Sequence, residues 1–418
     1  MTLHSARVGR PAHLLTLSGA RGVAAAWCVA ALAPFARLTA QAPAGPTGFR
    51  PLGPIVARLA DTLSGAPTLV ELGNGSIFVN DMQGLRVLVV DSTLAHPHVV
   101  LDSKGLGTRT YGHDVGTLMP YGRDSVAFFD PTAIGLLVMD DTGGIARVIS
   151  APAGNDASTL VSGAFSPVID GAGRLVFQTR LPPIVPAGGT PTAAATPLVR
   201  DSGIIVRADL RTRAADTLAR VKLAIPPPMI RRTGADGVPV IQSTVDPLLS
   251  KDKWVAWTTG EIAILRSRDY HVDWIDSAGR LAPTKPVAHE WHRLTDSEKV
   301  ALSDSVQKAI DAQAAIRAAP APNATRYISA AVPAADLADY APPFLNAYAG
   351  GDGTIWVQSG SIKPPAGGPV YDVIDAHGQL IDRVQIPGGC SLVAVGHGVV
   401  YISSREGRGV VLARARIR

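Results

Sequence analysis

The chain has 418 residues, 46% of them hydrophobic and 17% charged, with 42 glycines, 33 prolines and a formal charge of +5. So few charges among so many turn formers exclude a long coiled coil, and so much apolar character excludes an unfolded tail protein. The length admits two or three ordinary domains, or one large β architecture with a sizeable core.

Residues 1–40 hold Arg7, Arg10, Arg21 and Arg37 and no acidic side chain, around a 14-residue apolar stretch, Gly22–Phe35, with Ala40 before Gln41. This is the pattern of a secretory signal peptide cut after Ala40, and its apolar centre is short for a bilayer span. An uncleaved N-terminal anchor is the rival reading. The expected destination is therefore the periplasm or the medium. The four leader arginines come out of a total of 39 basic side chains, which leaves 35 against 34 acidic ones. Most of the positive charge thus belongs to the leader. Arg231-Arg232 and Arg414, Arg416 and Arg418 are too few to track phosphates, so no nucleic-acid partner is expected. No later segment approaches the roughly 20 apolar residues of a membrane helix, so no span is expected after signal removal. Cys28 leaves with the signal, and Cys390, the other cysteine of the chain, then has no disulfide partner. Beside the apolar run Leu392–Val395 it reads as a small buried hydrophobe.

After the leader, Gly53–Leu59 is a strand with no unit of its own. A recurring unit follows: an apolar run ending in Asp, a turn, and a second apolar run ending in Asp. It occurs as Gly73–Asp81 with Leu85–Asp91, then as Gly122–Asp130 with Gly135–Gly143. Arg174–Gln178 with Ile204–Asp209 is the third. Glu261–Leu265 with Tyr270–Gly279 is the fourth, Gly353–Val357 with Val370–Gly378 the fifth, and Val399–Ser403 with Val410–Arg414 the sixth. Additional apolar runs precede several units (Thr68–Leu72, Trp254–Trp257, Phe344–Tyr348) and follow others (His98–Leu101, Ala146–Ile149, Ile381–Ile386). Four strands per unit result, with Asp and Gly starting the tight turns. The smallest interval between the closing aspartates, Asp91 to Asp140, is near the roughly 40–50 residues of a four-stranded propeller blade.

Asp/Gly-Gly-x-apolar-apolar-Val-x-Asp followed by Arg-Val-x-Val-apolar-Asp-x-x-Gly resembles the six-bladed β-propeller repeats of the TolB-like and NHL-like group, over roughly residues 50–418. The resemblance implies an exported, all-β, six-bladed propeller of four-stranded antiparallel blades, occupying 41–418 as a monomer. It says almost nothing about chemistry. Units three and six depart from the pattern: the third is interrupted by a Pro-rich loop, and the sixth lacks a closing Asp-x-x-Gly and a fourth strand. The strand at Gly53–Leu59 is expected to supply that fourth strand and close the ring, since a bare sheet edge invites aggregation. Segments 181–197 and 226–247 read as exposed Pro-rich loops. Segment 289–318, between units four and five, reads as a helical insertion. Thr295-Asp-Ser-Glu298 is a capping box, and Leu302, Val306, Ala309, Ala312 and Ile316 recur at helical spacing. A helix over about 296–317 is expected, its apolar stripe lying on the propeller or, alternatively, taking a partner.

Candidate chemistry is sparse. His289-Glu-Trp-His292 has a spacing of three and no evident third ligand, whereas a zinc helix needs His at i and i+4. His96-Pro-His98 is held extended by its proline, and both pairs read as loop histidines. No Gly-x-Ser-x-Gly elbow occurs, and Gly73-Asn-Gly75 and Gly350-Gly-Asp-Gly353 precede strands, so they are turns and not phosphate cradles. Asp81, Asp91, Asp130 and Asp140 could bind calcium, but their recurrence favours turns. Asn74-Gly-Ser76 and Asn323-Ala-Thr325 match a glycosylation acceptor. Trp257 and Trp274 read as packing between sheets, among mature tryptophans Trp254, Trp257, Trp274, Trp291 and Trp356.

Two function classes stay open. One is a non-catalytic exported propeller that binds an unidentified protein or small molecule through its loops or central opening, with no catalytic residue, metal or cofactor. The other is a propeller enzyme, a calcium-dependent lactonase or lyase or a quinone-dependent dehydrogenase, acting at the axis. The innermost strands, 68–72, 117–121, 165–170, 254–259, 344–349 and 391–396, carry Glu71, Asp170 and Asn346 as their acidic or amide groups. Three are few for calcium, which takes roughly six to eight oxygens, so binding is the favoured class.

Overall fold

The aspartates that end the apolar runs fold the chain back on itself. Asp140 Oδ1 accepts hydrogen bonds from the backbone amides of Thr142 (3.0 Å) and Gly144 (2.8 Å). Asp276 and Asp375 hold the amides two and four residues further on at 2.8–3.0 Å. Gly143, Gly279 and Gly378 complete these turns at φ of +86°, +88° and +75°, where a side chain would be strained. The turn role expected for these carboxylates is what they perform.

The computed structural model describes residues 48–150, 167–181, 201–225, 227, 229–315, 324–360 and 366–417. The expected signal peptide, the loop over 182–197, Asn323 and Ile316 lie outside them. In chain order, β1 (Arg50–Pro51) and β2 (Ile55–Arg58) precede a first meander of β3 (Thr68–Glu71), β4 (Ile77–Asp81), β5 (Arg86–Val90) and β6 (His98–Asp102). The second meander is β7 (Thr117–Tyr121), β8 (Ser125–Asp130), β9 (Gly135–Met139) and β10 (Ile145–Ser150). The third is β11 (Val168–Ile169), β12 (Arg174–Arg180), β13 (Ser202–Asp209) and β14 (Ala215–Lys222). After β15 (Ile230–Thr233) and β16 (Pro239–Val245) comes the fourth: β17 (Lys253–Ala256), β18 (Ile262–Arg266), β19 (His271–Ile275) and β20 (Leu281–Pro283). Helix α1 (Asp296–Ala315) and β21 (Arg326–Ala331) then lead to the fifth, β22 (Phe344–Ala349), β23 (Ile355–Ser359), β24 (Val370–Ile374) and β25 (Leu380–Gln385). The chain ends on β26 (Cys390–Val395), β27 (Val399–Glu406) and β28 (Gly409–Arg416).

The last three strands are completed from the other end of the chain. β2 pairs antiparallel with β28, so that the sixth sheet reads β2-β28-β27-β26. This is the pairing expected from a strand without a unit. β1 makes a pairing that was not expected: it adds to the fifth sheet, parallel to β25, with Arg50 Nε 2.9 Å from Asp382 Oδ2. The opening segment therefore bridges two sheets. Leu59 and Leu63 extend the seam with backbone bonds to Leu412 and Val410 at 2.8 and 2.9 Å.

The core explains why the central strands are apolar on consecutive residues. Successive side chains of a strand point to opposite faces, and each sheet has a neighbour on both. Phe78 packs toward the second meander with Leu118, Val126 and Phe128, whereas Ile77 and Val79 pack with Val399, Tyr401 and Leu412 of the sixth sheet. The same partition recurs between sheets two and three, three and four, four and five, and five and six. Sheets two and three also join at a parallel bridge between Tyr121 and Ile169. Trp257 and Trp274 stack at 5.4 Å, and Trp257 Nε1 donates to Gly350 O across the boundary between sheets four and five. The expected packing role holds for both.

The segment around 226–247, expected as a loop, forms a hairpin instead. β15 and β16 pair antiparallel, and β16 then pairs parallel with β21 to give a separate three-stranded sheet. Proline density hid the β-branched residues Val238, Val240 and Ile241 beyond the Asp236-Gly237 turn. The capping box of α1 forms as expected: Thr295 N donates to Glu298 Oε2 (3.0 Å), and Glu298 N to Thr295 Oγ1 (3.3 Å). The helix, however, does not lie on the main sheets. Leu302 packs on Leu248, Leu294, Val332 and Leu337, and Lys299 Nζ donates to Leu337 O and Asp339 Oδ1. The insertion has a small core of its own.

Candidate functional site

The first strand of each meander lies innermost, and the six converge on a cavity of about 640 Å³. β3, β7, β11, β17, β22 and β26 all contribute to its wall. Most of that wall is apolar, including Leu69, Val70, Leu118, Val255 and Leu392, and a few polar groups interrupt it. A concave, largely apolar space of this size with sparse polar groups is the usual form of a small-molecule site.

Of the three innermost polar residues singled out by sequence, the cavity brings together Glu71 and Asn346 and leaves out Asp170. The Asp170 carboxylate is spent on its own turn, accepting from the backbone amides of Ala172 and Arg174 and from Arg174 Nε at 2.7 Å. Glu71 closes β3 opposite Gly396, where a Cβ would fall 1.8 Å from Glu71 Oε2. Glycine at 396 thus makes room for the carboxylate.

Two cavity residues were not found from sequence. Lys253, which opens β17, donates from Nζ to Asn346 Oδ1 at 3.0 Å, and Asn346 in turn donates to Gln358 Oε1 at 3.2 Å. Burial, reinforced by the like charge of Lys251, pushes the Lys253 amine down to about 8. Tyr401, fully buried on β27, has its phenol raised by burial and by the charge of Glu71. The Tyr401 hydroxyl lies close to both Glu71 and Arg414, and Glu71 Oε2, the hydroxyl and Arg414 Nε are all sealed from solvent. The Lys251-Asp-Lys253 triplet before an inner strand was the available signal for the lysine. Nothing local marked Tyr401.

The two residues of the first histidine pair point to different surroundings. His289 turns inward, its ring edge-on to Tyr270 (5.4 Å) and Trp291 (5.3 Å), beside a pocket of about 260 Å³ that also holds Asp372 and Arg383. Burial lowers its pKa. His292 faces the other way, Nε2 lying 3.2 Å from Glu298 at the start of α1. His96 and His98 are exposed. Among the described residues no three His, Cys, Asp or Glu side chains gather as metal donors. Cys390 is half-buried, with its thiol raised by burial.

No protein-family model matches the chain, and no curated protein matches it. Solved structures do resemble it. A gluconolactonase from Xanthomonas campestris has 13% identity over 88% of this chain and 98% of its own, with a TM-score of 0.36. Regucalcin, a calcium-binding protein from Agrobacterium tumefaciens, has 11% identity over 88% and 98%, with a TM-score of 0.40. TolB from Acinetobacter baumannii has 11% identity over 84% of this chain and 63% of its own, with a TM-score of 0.32.

Proposed function

We propose that the chain is an exported six-bladed β-propeller, residues 41–418 after loss of a signal peptide, that binds a small ligand in its axial cavity. The observation that carries this reading is the axial cavity itself, about 640 Å³, walled largely by apolar side chains with Lys253, Asn346 and Glu71 among its few polar ones. The six blades are counted from the six meanders that converge on one cavity, with β2 fastening the last to the chain's beginning.

The alternative, a calcium-dependent enzyme at the same axis, has a poorer donor set. Calcium takes roughly six to eight oxygens from carboxylates, carbonyls and water. Here Glu71, one of two carboxylates in the wall among the described residues, has Oε2 fully buried, and Asn346 Oδ1 already accepts from Lys253. The second carboxylate in the wall, Asp252, accepts from Ser267 with Oδ1 and from Lys222 N and Arg266 with Oδ2. Metal analysis of the purified protein, with and without chelator, separates the readings. Binding predicts substoichiometric calcium and a melting temperature unchanged by chelation. One calcium per chain, lost to chelator together with several degrees of melting temperature, would establish the enzyme reading instead.

A further inference from the structure

Lys253 and Glu71, two of the charged residues in the wall of the axial cavity, lie toward opposite ends of the inner strands. Lys253 is the first residue of β17, whereas Glu71 is the last of β3. At the lysine end the charge balance is incomplete. The hydrogen-bond acceptor of Lys253 is the neutral Asn346 amide, and no carboxylate lies within ion-pair distance of it among the described residues. The adjacent Asp252 cannot serve, because both of its oxygens are committed to Ser267, Lys222 and Arg266. Lys251 adds a second positive charge and opposes protonation of Lys253. Two ammonium groups this close repel each other, and an anion that joins them relieves the repulsion.

Resting on the axial reading above, we propose that the ligand is an amphipathic monoanion: a carboxylate at Lys253, and an apolar body against the wall formed by residues such as Val70, Leu118, Val255 and Leu392. The ammonium supplies a charge-assisted hydrogen bond, stronger and shorter than a neutral one. The apolar wall supplies affinity in proportion to the area covered. Glu71, at the far end, disfavours the reversed orientation of the carboxylate.

Calorimetric titration with octanoate and with octanol tests this, since the probes share a chain and differ at the head. The intact protein is expected to bind octanoate at least tenfold more tightly than octanol. Lys253→Met is expected to bring the two within about twofold by weakening octanoate alone, and Lys253→Arg to keep the preference. Equal binding of both probes by the unsubstituted protein overturns the anion assignment, as does a preference that survives in Lys253→Met. Octanol bound without octanoate leaves the axial site standing and removes the lysine's role. Failure to bind either removes both. The comparison of probes on the unsubstituted protein needs no variant, so a poorly folded Lys253→Met does not shelter the proposal.

Discussion

Leu63 gives the clearest measure of how much the joined ends contribute to stability. Its side chain is 1% exposed and sits between Ile77, Val79, Leu88 and Val90 of the first meander and Val399, Val410 and Leu412 of the sixth sheet. Truncation to alanine removes three buried carbons and leaves a cavity in a seam that two sheets share. Leu→Ala changes at such sites cost about 2–5 kcal/mol, the upper part of the range applying where the surroundings cannot collapse. Here they are held by paired strands on both sides, so about 3–4 kcal/mol is expected by the same scale. The backbone bonds between Leu63 and Val410, 2.9 Å in each direction, survive the substitution. Ile55, in β2 itself, is 41% exposed, and its replacement by alanine should stay within about 0.5 kcal/mol. Arg50→Ala removes an ion pair with Asp382 whose partners are 26% and 33% exposed, and should cost no more than about 1 kcal/mol. Equilibrium urea unfolding followed by tryptophan fluorescence ranks the three. If Leu63→Ala unfolds with the parent protein, or Ile55→Ala is the worse of the two, the ends are not joined by burial and the reasoning fails.

Tyr111→Phe probes a polar triangle between the first two meanders, where the Tyr111 hydroxyl donates to Asn80 Oδ1 (2.9 Å) and accepts from Gly116 N (3.1 Å). Its loss strands both buried partners, and a cost of about 1–3 kcal/mol is expected in the same urea assay; a neutral result would mean that water replaces the hydroxyl. Acid sensitivity follows from the turns. Asp140, Asp209 and Asp276 are held below the ordinary carboxylate range, Asp140 chiefly by the Thr142 hydroxyl and the other two by the backbone amides of Thr212 and Arg280. With folded pKa values below unfolded ones, the unfolded chain takes up protons first. The stabilisation is complete above pH of about 4 and is lost as pH falls through the lower folded values. Urea midpoints between pH 6 and 2.5 should decline below pH 4, less steeply in Asp140→Asn; a flat profile contradicts the turn assignment.

What was legible in the sequence was local or periodic. Asp140-Asp-Thr-Gly143 declares its turn within four residues, and Thr295 with Glu298 declares a helix start in the same span. The pairing of β2 with β28 is remote, yet a strand without a unit and a unit without a strand point to each other. The inserted sheet offered no such complement, because β16 and β21 are separated in sequence by a whole meander and a helix. Lys253 and Tyr401 were hidden for another reason. Their character comes from residues that other sheets bring to them, Asn346 for one and Glu71 for the other.

The parallel ladder from Val240–Arg326 to Val245–Ala331 stitches together the chain entering the fourth meander and the chain leaving it. That meander thereby has a tether beyond its two flanking sheets: to swing outward it must rip a six-pair zipper as well as part from both of them. Any breathing that admits a molecule to the interior should begin elsewhere on the circumference, and hydrogen–deuterium exchange would show where.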